Sequence, residues 1–154
     1  LKLSTLSYRL YGYSKGSEFV QRYLLFSNDT RVDKVAMANS GFYTFVDDQI
    51  AFPFGTKNMN LSNQRIEWFM RLKGGVFLSD NNTKKIDRTL IKTRKAKKQG
   101  KNRLDRGTNF FNDLTRLGVE RNLPFRWRYQ LVPNGIQARN ELNLAVSEFL
   151  LEDL

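Results

Sequence analysis

A dense run of positive charge constrains this chain more than any other feature of its sequence. The basic tract, Thr83 to Arg106, carries eleven of the 26 lysine and arginine residues and only two carboxylates, Asp87 and Asp105. Side chains with so much like charge repel one another and are too costly to bury together. We therefore expect the basic tract to lie at the surface, and the core to come from the segments on either side of it.

Within the basic tract, the pattern changes along its length. Thr83 can cap a helix that docks through a narrow apolar stripe made by Ile86, Leu90 and Ile91. From residue 94 no apolar side chain is larger than Ala96, and Gly100 interrupts any helix. This part of the sequence predicts a flexible basic arm over residues 94–103.

The rest of the chain predicts one α+β domain. With 154 residues, 40% of them hydrophobic and 13% aromatic, the chain can bury a core of its own. A division into sub-lobes 1–82 and 104–154, flanking the basic tract 83–106, is the alternative. Hydrophobic periodicity predicts helices over Glu18–Phe26, Leu61–Lys73, Asn109–Leu117 and Ile136–Leu151, and strands over Leu1–Tyr13, Arg31–Ala38, Phe42–Val46, Gln49–Phe54, Val76–Leu78 and Phe125–Val132. The turns between the strands of residues 31–54 favour hairpins, and hence an antiparallel or mixed sheet packed against the helices.

Two absent residue types exclude several classes of chemistry. The chain has no cysteine, which excludes disulfides, thiolate catalysis and cysteine-based zinc sites. It also has no histidine, which excludes histidine general bases and Ser-His-Asp catalysis by these residues. We expect no resident cofactor.

The concentrated charge predicts a non-enzymatic nucleic-acid-binding protein. Each phosphate that a cation neutralises releases counterions, which gives strong, salt-sensitive affinity without sequence preference. DNA and RNA fit equally, no membrane partner is expected, and oligomerisation stays open. The predicted contacts are the eleven cations of the basic tract and two arginines of the last strand: Lys84, Lys85, Arg88, Lys92, Arg94, Lys95, Lys97, Lys98, Lys101, Arg103, Arg106, Arg126 and Arg128.

The last predicted strand reads FRWRYQLV and alternates clearly. Arg126 and Arg128 project from one face about 7 Å apart, close to the spacing of successive phosphates. They either extend the nucleic-acid groove or pair with carboxylates on neighbouring elements. On the opposite face Trp127 and Tyr129 are predicted to face the core.

A set of carboxylates gives a second hypothesis, a metal-dependent nuclease. The order helix, three strands, helix, strand over residues 17–78 resembles the core of the PD-(D/E)xK nuclease superfamily. The resemblance implies that Glu18, Asp33, Asp47 and Asp48 would bind Mg²⁺ and activate water. Gln49 stands where that family has a catalytic lysine.

A third hypothesis is a structural subunit of a virion or ribonucleoprotein, with a basic arm facing the genome. The sequence contains no run of about 18 apolar residues and no signal-peptide pattern. These observations predict an intracellular protein, whether cytoplasmic, nucleoid-associated or in a virion, that is not secreted.

Overall fold

The computed structural model of the chain describes residues 6–80, 87–133 and 138–154. Strands and helices alternate along it. Their order is β1 (Tyr8–Tyr13), α1 (Lys15–Phe26), β2 (Val32–Ala38), α2 (Asn63–Arg71), β3 (Lys73–Ser79), α3 (Arg94–Gln99), α4 (Arg103–Glu120), β4 (Arg128–Val132) and α5 (Ala138–Leu151).

The four strands form one parallel sheet in the order β1-β2-β3-β4. The predicted antiparallel or mixed sheet, and with it the α+β class, is therefore wrong: the fold is α/β. The physical reason lies in the connections. At least one helix separates each strand from the next along the chain, and a helix provides the crossover that parallel neighbours require.

The two strands predicted over Phe42–Val46 and Gln49–Phe54 do not form. Residues 42–57 make a loop that folds back on itself, in which the amide of Phe45 donates to the carbonyl of Phe54 over 3.0 Å. The Phe42 and Phe54 rings lie 5.1 Å apart between centroids, and Tyr43 is fully buried. Of the alternating apolar residues in Gln49–Phe54, Phe54 packs on Phe42 whereas Ile50 and Phe52 are exposed, so they do not form one buried face of a sheet.

The predicted flexible arm over residues 94–103 is also wrong. Thr93 caps helix α3 by accepting a hydrogen bond from the Ala96 amide, and Asn102 caps helix α4 in the same way through the Asp105 amide. Ala96 and Gln99 are buried against the body of the protein. Caps and two buried residues are enough to hold a helix whose other side chains are charged.

The sheet separates two apolar layers. Successive residues of β2 and β3 point to opposite faces, so Val35, Met37, Val76 and Leu78 pack against α1, α2 and α4, whereas Phe77 packs against α5. Within the described residues, no helix is both long enough and apolar enough to cross a bilayer, as the sequence predicted.

The acidic end of α5 is held by cations from the sheet. Lys34, which is 2% exposed, lies 3.4 Å from the Glu152 carboxylate and 3.3 Å from that of Asp153, and Lys73 and Arg128 add further ion pairs. These pairs fix α5 across the sheet.

Candidate active site

Ser14 occupies a sharp turn between strand β1 and helix α1. Its backbone has φ 53° and ψ −115°, a left-handed conformation that costs about 1–3 kcal/mol for a residue with a side chain. The surrounding sequence is Gly12-Tyr13-Ser14-Lys15-Gly16. A strand, a strained serine and a helix in the pattern Gly-x-Ser-x-Gly constitute the nucleophile elbow of α/β-hydrolase folds.

Glycine is needed at position 12 because the elbow brings strand and helix very close together. A Cβ atom built on Gly12 would lie 2.5 Å from the carbonyl oxygen of Gly16 and 2.7 Å from the Cα atom of Ser17. Both are backbone atoms and cannot rotate away. A Cβ on Gly16, in contrast, would meet nothing within 4 Å.

Backbone hydrogen bonds hold the elbow in place. The Ser14 amide donates to the carbonyl of Ala38 at the end of β2 over 2.9 Å, and the Ser14 carbonyl accepts from the Glu18 amide over 3.2 Å. Lys15 is the first residue of α1, where amide groups have no acceptor within the helix. Such an amide, directly after the nucleophile, is one of the donors that stabilise an oxyanion in this type of site.

The Arg103 side chain reaches the Ser14 hydroxyl from the start of α4. Its Nη1 atom lies 3.3 Å from Ser14 Oγ and 2.7 Å from the Asn39 carbonyl oxygen, and the residue is 8% exposed. The other side of the guanidinium contacts Asp87 over 2.6 Å and Thr89 over 2.9 Å. Arginine always keeps its proton, so it donates to Ser14 and cannot accept a proton from it.

Asp87 balances the charge of Arg103. Partial burial raises the pKa of the Asp87 carboxyl, but hydrogen bonds from Thr89 and Arg103 outweigh burial and bring the pKa down to about 2. The carboxylate is therefore ionised at neutral pH. It fixes the guanidinium beside the serine.

The ends of β2 and β3 meet next to the elbow. The Asn39 side chain donates to Ser79 Oγ over 3.1 Å and accepts from the Ser79 amide over 3.0 Å. The Ser17 and Ser40 hydroxyls are also hydrogen-bonded to each other. Asp80 follows β3 directly and comes after Ser14 along the chain. In α/β hydrolases the catalytic acid likewise comes after the nucleophile along the chain.

Glu18 lies one turn into α1 and is 8% exposed. Its Oε1 atom accepts a hydrogen bond of 3.1 Å from the Gly41 amide. Burial raises the pKa of this carboxyl, which the Gly41 hydrogen bond and the nearby Arg22 and Arg103 offset only in part.

The predicted nucleic-acid contacts separate into several groups. Arg103 and Arg106 are buried, and the Arg106 guanidinium donates to the carbonyls of Gly41, Ile91 and Gly100. Burial lowers the pKa of Arg106. Arg88, Lys92, Arg94, Lys95, Lys97, Lys98 and Lys101 are exposed, whereas Lys84 and Lys85 lie outside the described residues.

The two arginines of the FRWRYQLV segment are both exposed. Arg128 Nη1 lies 3.0 Å from a Glu152 carboxylate oxygen. Of the two predicted alternatives, this is the pairing of an arginine with a carboxylate on a neighbouring element. Trp127 faces the core as predicted, with its indole N–H donating to the Phe69 carbonyl over 2.8 Å.

The carboxylates of the nuclease hypothesis do not come together. Asp33 pairs with Arg9 over 3.4 Å, Asp47 caps its own turn by accepting from the Gln49 amide, and Glu18 contacts Gly41. Among the described residues, no group of three or more acidic side chains is placed to hold a metal ion. The three-strand meander that the nuclease core needs is absent from this part of the chain as well.

Sequence reasoning missed Ser14. Residues 14–17, between the first predicted strand and the first predicted helix, look like an ordinary turn. The signal was nevertheless present, because Gly-x-Ser-x-Gly lies between an apolar strand and an amphipathic helix.

Comparison with known proteins gives structural neighbours only. No protein-family model and no curated protein sequence matches the chain. Its structure is similar to poly(aspartic acid) hydrolase-1 from Sphingomonas sp. KT-1, with a TM-score of 0.87 and 25% identity over 95% of this chain and 55% of that one. It is also similar to LpqC, a poly(3-hydroxybutyrate) depolymerase from Bordetella parapertussis, with a TM-score of 0.85 and 23% identity over 97% of this chain and 51% of that one.

The chain therefore has an α/β, hydrolase-like fold and spans about half the length of these two structures. The predicted nucleic-acid-binding function is wrong, together with its nuclease and virion alternatives, because both neighbours are hydrolases of another kind. The charge of the basic tract gave a wrong prediction because part of that charge does not face solvent. Arg103 and Arg106 donate hydrogen bonds to backbone carbonyls around the serine site.

Proposed function

We propose that the chain belongs to an esterase-like hydrolase in which Ser14 is the acyl-accepting nucleophile. The observation that carries this proposal is the elbow: Ser14 has φ 53° between β1 and α1, with Gly12 packed against Gly16. An unstrained turn could connect β1 and α1 equally well, so packing alone does not explain the strain at Ser14. Strain of about 1–3 kcal/mol at one polar residue is typical of functional sites.

In the proposed reaction, Ser14 Oγ attacks the carbonyl carbon of an ester or amide. The carbonyl oxygen becomes an oxyanion, for which the Lys15 amide is one donor. The alcohol or amine leaves with a proton, and water then releases the acid from the acylated serine. The positive charge of Arg103 beside Oγ favours the alkoxide form of the nucleophile.

Among these 154 residues there is no histidine to accept the proton of Ser14. In the usual arrangement, an acid that follows the serine along the chain orients a histidine imidazole, and that imidazole is the base. These residues provide no such imidazole. We therefore expect acylation by this chain to be slow, and imidazole added to the buffer to accelerate it by serving as the base.

The net charge suggests the class of substrate. The chain carries a formal charge of +11, which attracts anionic substrates and repels cationic ones. The neighbour named as a poly(aspartic acid) hydrolase is named for a polyanion. An anionic ester or amide is thus the favoured substrate.

Covalent labelling tests the nucleophile. A fluorophosphonate probe, read by mass spectrometry, should modify Ser14 in the wild-type chain, faster with imidazole present. Ser14→Ala should abolish labelling, and Ser7→Ala, which removes an exposed serine at the opposite end of β1, should not. Labelling that persists in Ser14→Ala, or that never occurs with imidazole present, would contradict the proposal.

A second candidate is an acyl-ligand-binding protein without turnover. The lack of a histidine base among these residues favours it. In that case the fluorophosphonate leaves Ser14 unmodified, and a non-hydrolysable anionic amide binds the wild-type chain more tightly than the Ser14→Trp variant.

A further inference from the structure

A cavity lies between the loop of residues 45–57 and helix α3. Its volume is about 400 Å³, within the range of about 300–1,000 Å³ that is usual for ligand sites. Its walls are mainly apolar, with Phe45, Ile50, Ala51 and Phe54 providing most of the surface. We call this cavity the Phe54 cleft. None of its lining residues belongs to the serine site described above.

The walls of the Phe54 cleft are preformed. Within the loop, the Lys57 amide donates to the Ile50 carbonyl over 2.9 Å, and the Phe54 amide donates to the Ala51 carbonyl over 3.1 Å. On the other wall, Gln99 exchanges two hydrogen bonds with the backbone of Tyr43, of 2.9 and 2.6 Å. A ligand entering the cleft would not have to order these segments, which removes an entropic cost of binding.

Three lysines surround the mouth of the cleft. Lys57 comes from the loop, Lys95 and Lys98 come from α3, and all three are exposed. Within the described ranges, none of them forms a salt bridge with a carboxylate, although the half-exposed Lys73 elsewhere does. Lysine stems cover apolar surface while the ammonium groups stay in water. The result is an apolar cleft whose rim carries three uncompensated positive charges.

We propose that the Phe54 cleft binds an amphipathic monoanion of the medium-chain carboxylate class. The hydrocarbon tail would lie against Phe45, Ile50 and Phe54, and the carboxylate would contact the lysine rim. Apolar burial supplies most of the affinity, and charge-assisted hydrogen bonds to the ammonium groups select the ionised head. A polyanion without a tail would leave the apolar walls wet, and a neutral apolar ligand would make no use of the lysines.

Calorimetric titration of the full chain with octanoate and with octanol tests the proposal, because the two ligands share a tail and differ in the charged head. The wild-type chain should bind octanoate about tenfold more tightly than octanol. The triple variant Lys57→Gln, Lys95→Gln, Lys98→Gln should lose this preference and still bind octanol. Ile50→Asn, at an exposed part of the wall, should weaken both ligands.

A matched control removes the same number of charges, all from the basic tract and away from the cleft: Lys92→Gln, Lys97→Gln, Lys101→Gln. It should keep the preference for octanoate, since none of these residues lines the cleft. Thermal unfolding checks that each variant is folded. Equal affinity for the two ligands, or an equal loss of preference in both triple variants, would overturn the proposal.

A further variant distinguishes octanoate binding in the Phe54 cleft from octanoate binding at the serine site. Ser14→Ala should bind octanoate as the wild type does, because Ser14 does not line the cleft. If Ser14→Ala instead abolishes octanoate binding, the ligand occupies the serine site and the assignment to the Phe54 cleft is wrong.

Discussion

The guanidinium of Arg103 donates a hydrogen bond of 3.3 Å to the hydroxyl oxygen of Ser14. Because the cation stabilises a developing alkoxide, removing it should make the serine less reactive. We expect Arg103→Gln to lower the rate of fluorophosphonate labelling at Ser14 by about tenfold, which corresponds to about 1.4 kcal/mol in the barrier.

Arg103→Lys, which keeps the charge, should retain more reactivity than Arg103→Gln. Arg94→Gln removes an exposed cation at the start of α3 and should have no effect. Circular dichroism must show the Arg103 variants folded, because Arg103 also holds Asp87 and Asn39. Faster labelling in Arg103→Gln would mean that the arginine restrains the serine.

Two glycines of the elbow should respond in opposite ways to the same substitution. In Gly12→Ala the new Cβ would lie 2.5 Å from a backbone oxygen, so strand and helix must move apart, at a cost of about 1–3 kcal/mol in the free energy of unfolding. In Gly16→Ala the methyl group meets no atom within 4 Å, and alanine favours the helix by about 0.5–1 kcal/mol. Urea denaturation measures both values. Equal effects would show that the approach of Gly12 to Gly16 is not tight.

Helices α1, α2, α4 and α5 could be predicted at least in part from the sequence, because each of them carries its own signal, whereas α3 lies in the stretch predicted as a flexible arm. Ser62 and its following apolar stripe mark α2, and the stripe from Phe110 to Leu117 marks most of α4. These signals are local, since they depend on residues three or four apart. Strand direction is not local: β1 and β2 could be seen as strands, but their parallel pairing depends on where α1 returns the chain.

The site was missed for a related reason. Ser14 and Arg103 are 89 positions apart and belong to segments that looked unrelated, one a turn and the other part of a charge run. Charge density alone cannot distinguish a guanidinium that faces solvent from one that folds inward onto carbonyl oxygens. The burial of Arg106 depends on Gly41 and Ile91, which the tertiary fold brings to it.

Two tyrosine hydroxyls differ in their partners, and this predicts different effects of removing them. Tyr43 is fully buried, and its hydroxyl makes no hydrogen bond of standard geometry among the described residues; burial raises its pKa, and an interaction with Ser40 offsets this only in part. Tyr43→Phe keeps the ring stacked on Phe110 and should leave stability unchanged or raise it by up to about 1 kcal/mol.

Tyr23 is the matched comparison, since its hydroxyl bonds to Tyr8 over 2.8 Å and to Asp29 over 2.9 Å. Tyr23→Phe removes a partner from both groups and should lower the free energy of unfolding by about 1 kcal/mol. Urea denaturation of the two variants side by side gives the comparison. A larger loss in Tyr43→Phe than in Tyr23→Phe would show that the Tyr43 hydroxyl has a partner after all.

The Asp87 carboxyl should make part of the stability depend on pH. Its pKa is about 2 in the folded protein and near 3.8 ordinarily, so the folded state favours the ionised form. That contribution is complete above about pH 4 and is lost as the pH falls toward 2.

Asp87→Asn should thus lower the free energy of unfolding at pH 7 by about 1 kcal/mol, less than the full linkage value because water reaches the carboxylate. At pH 2, near the folded-state pKa, most of this contribution should be lost, so the difference between variant and wild type should shrink. Thr89→Val, which removes one of the donors that lower the pKa, should reduce the pH dependence without abolishing it. Denaturant titrations at both pH values measure these differences, and a gap of equal size at pH 7 and pH 2 would show that Asp87 stabilises the site by packing and not by its charge.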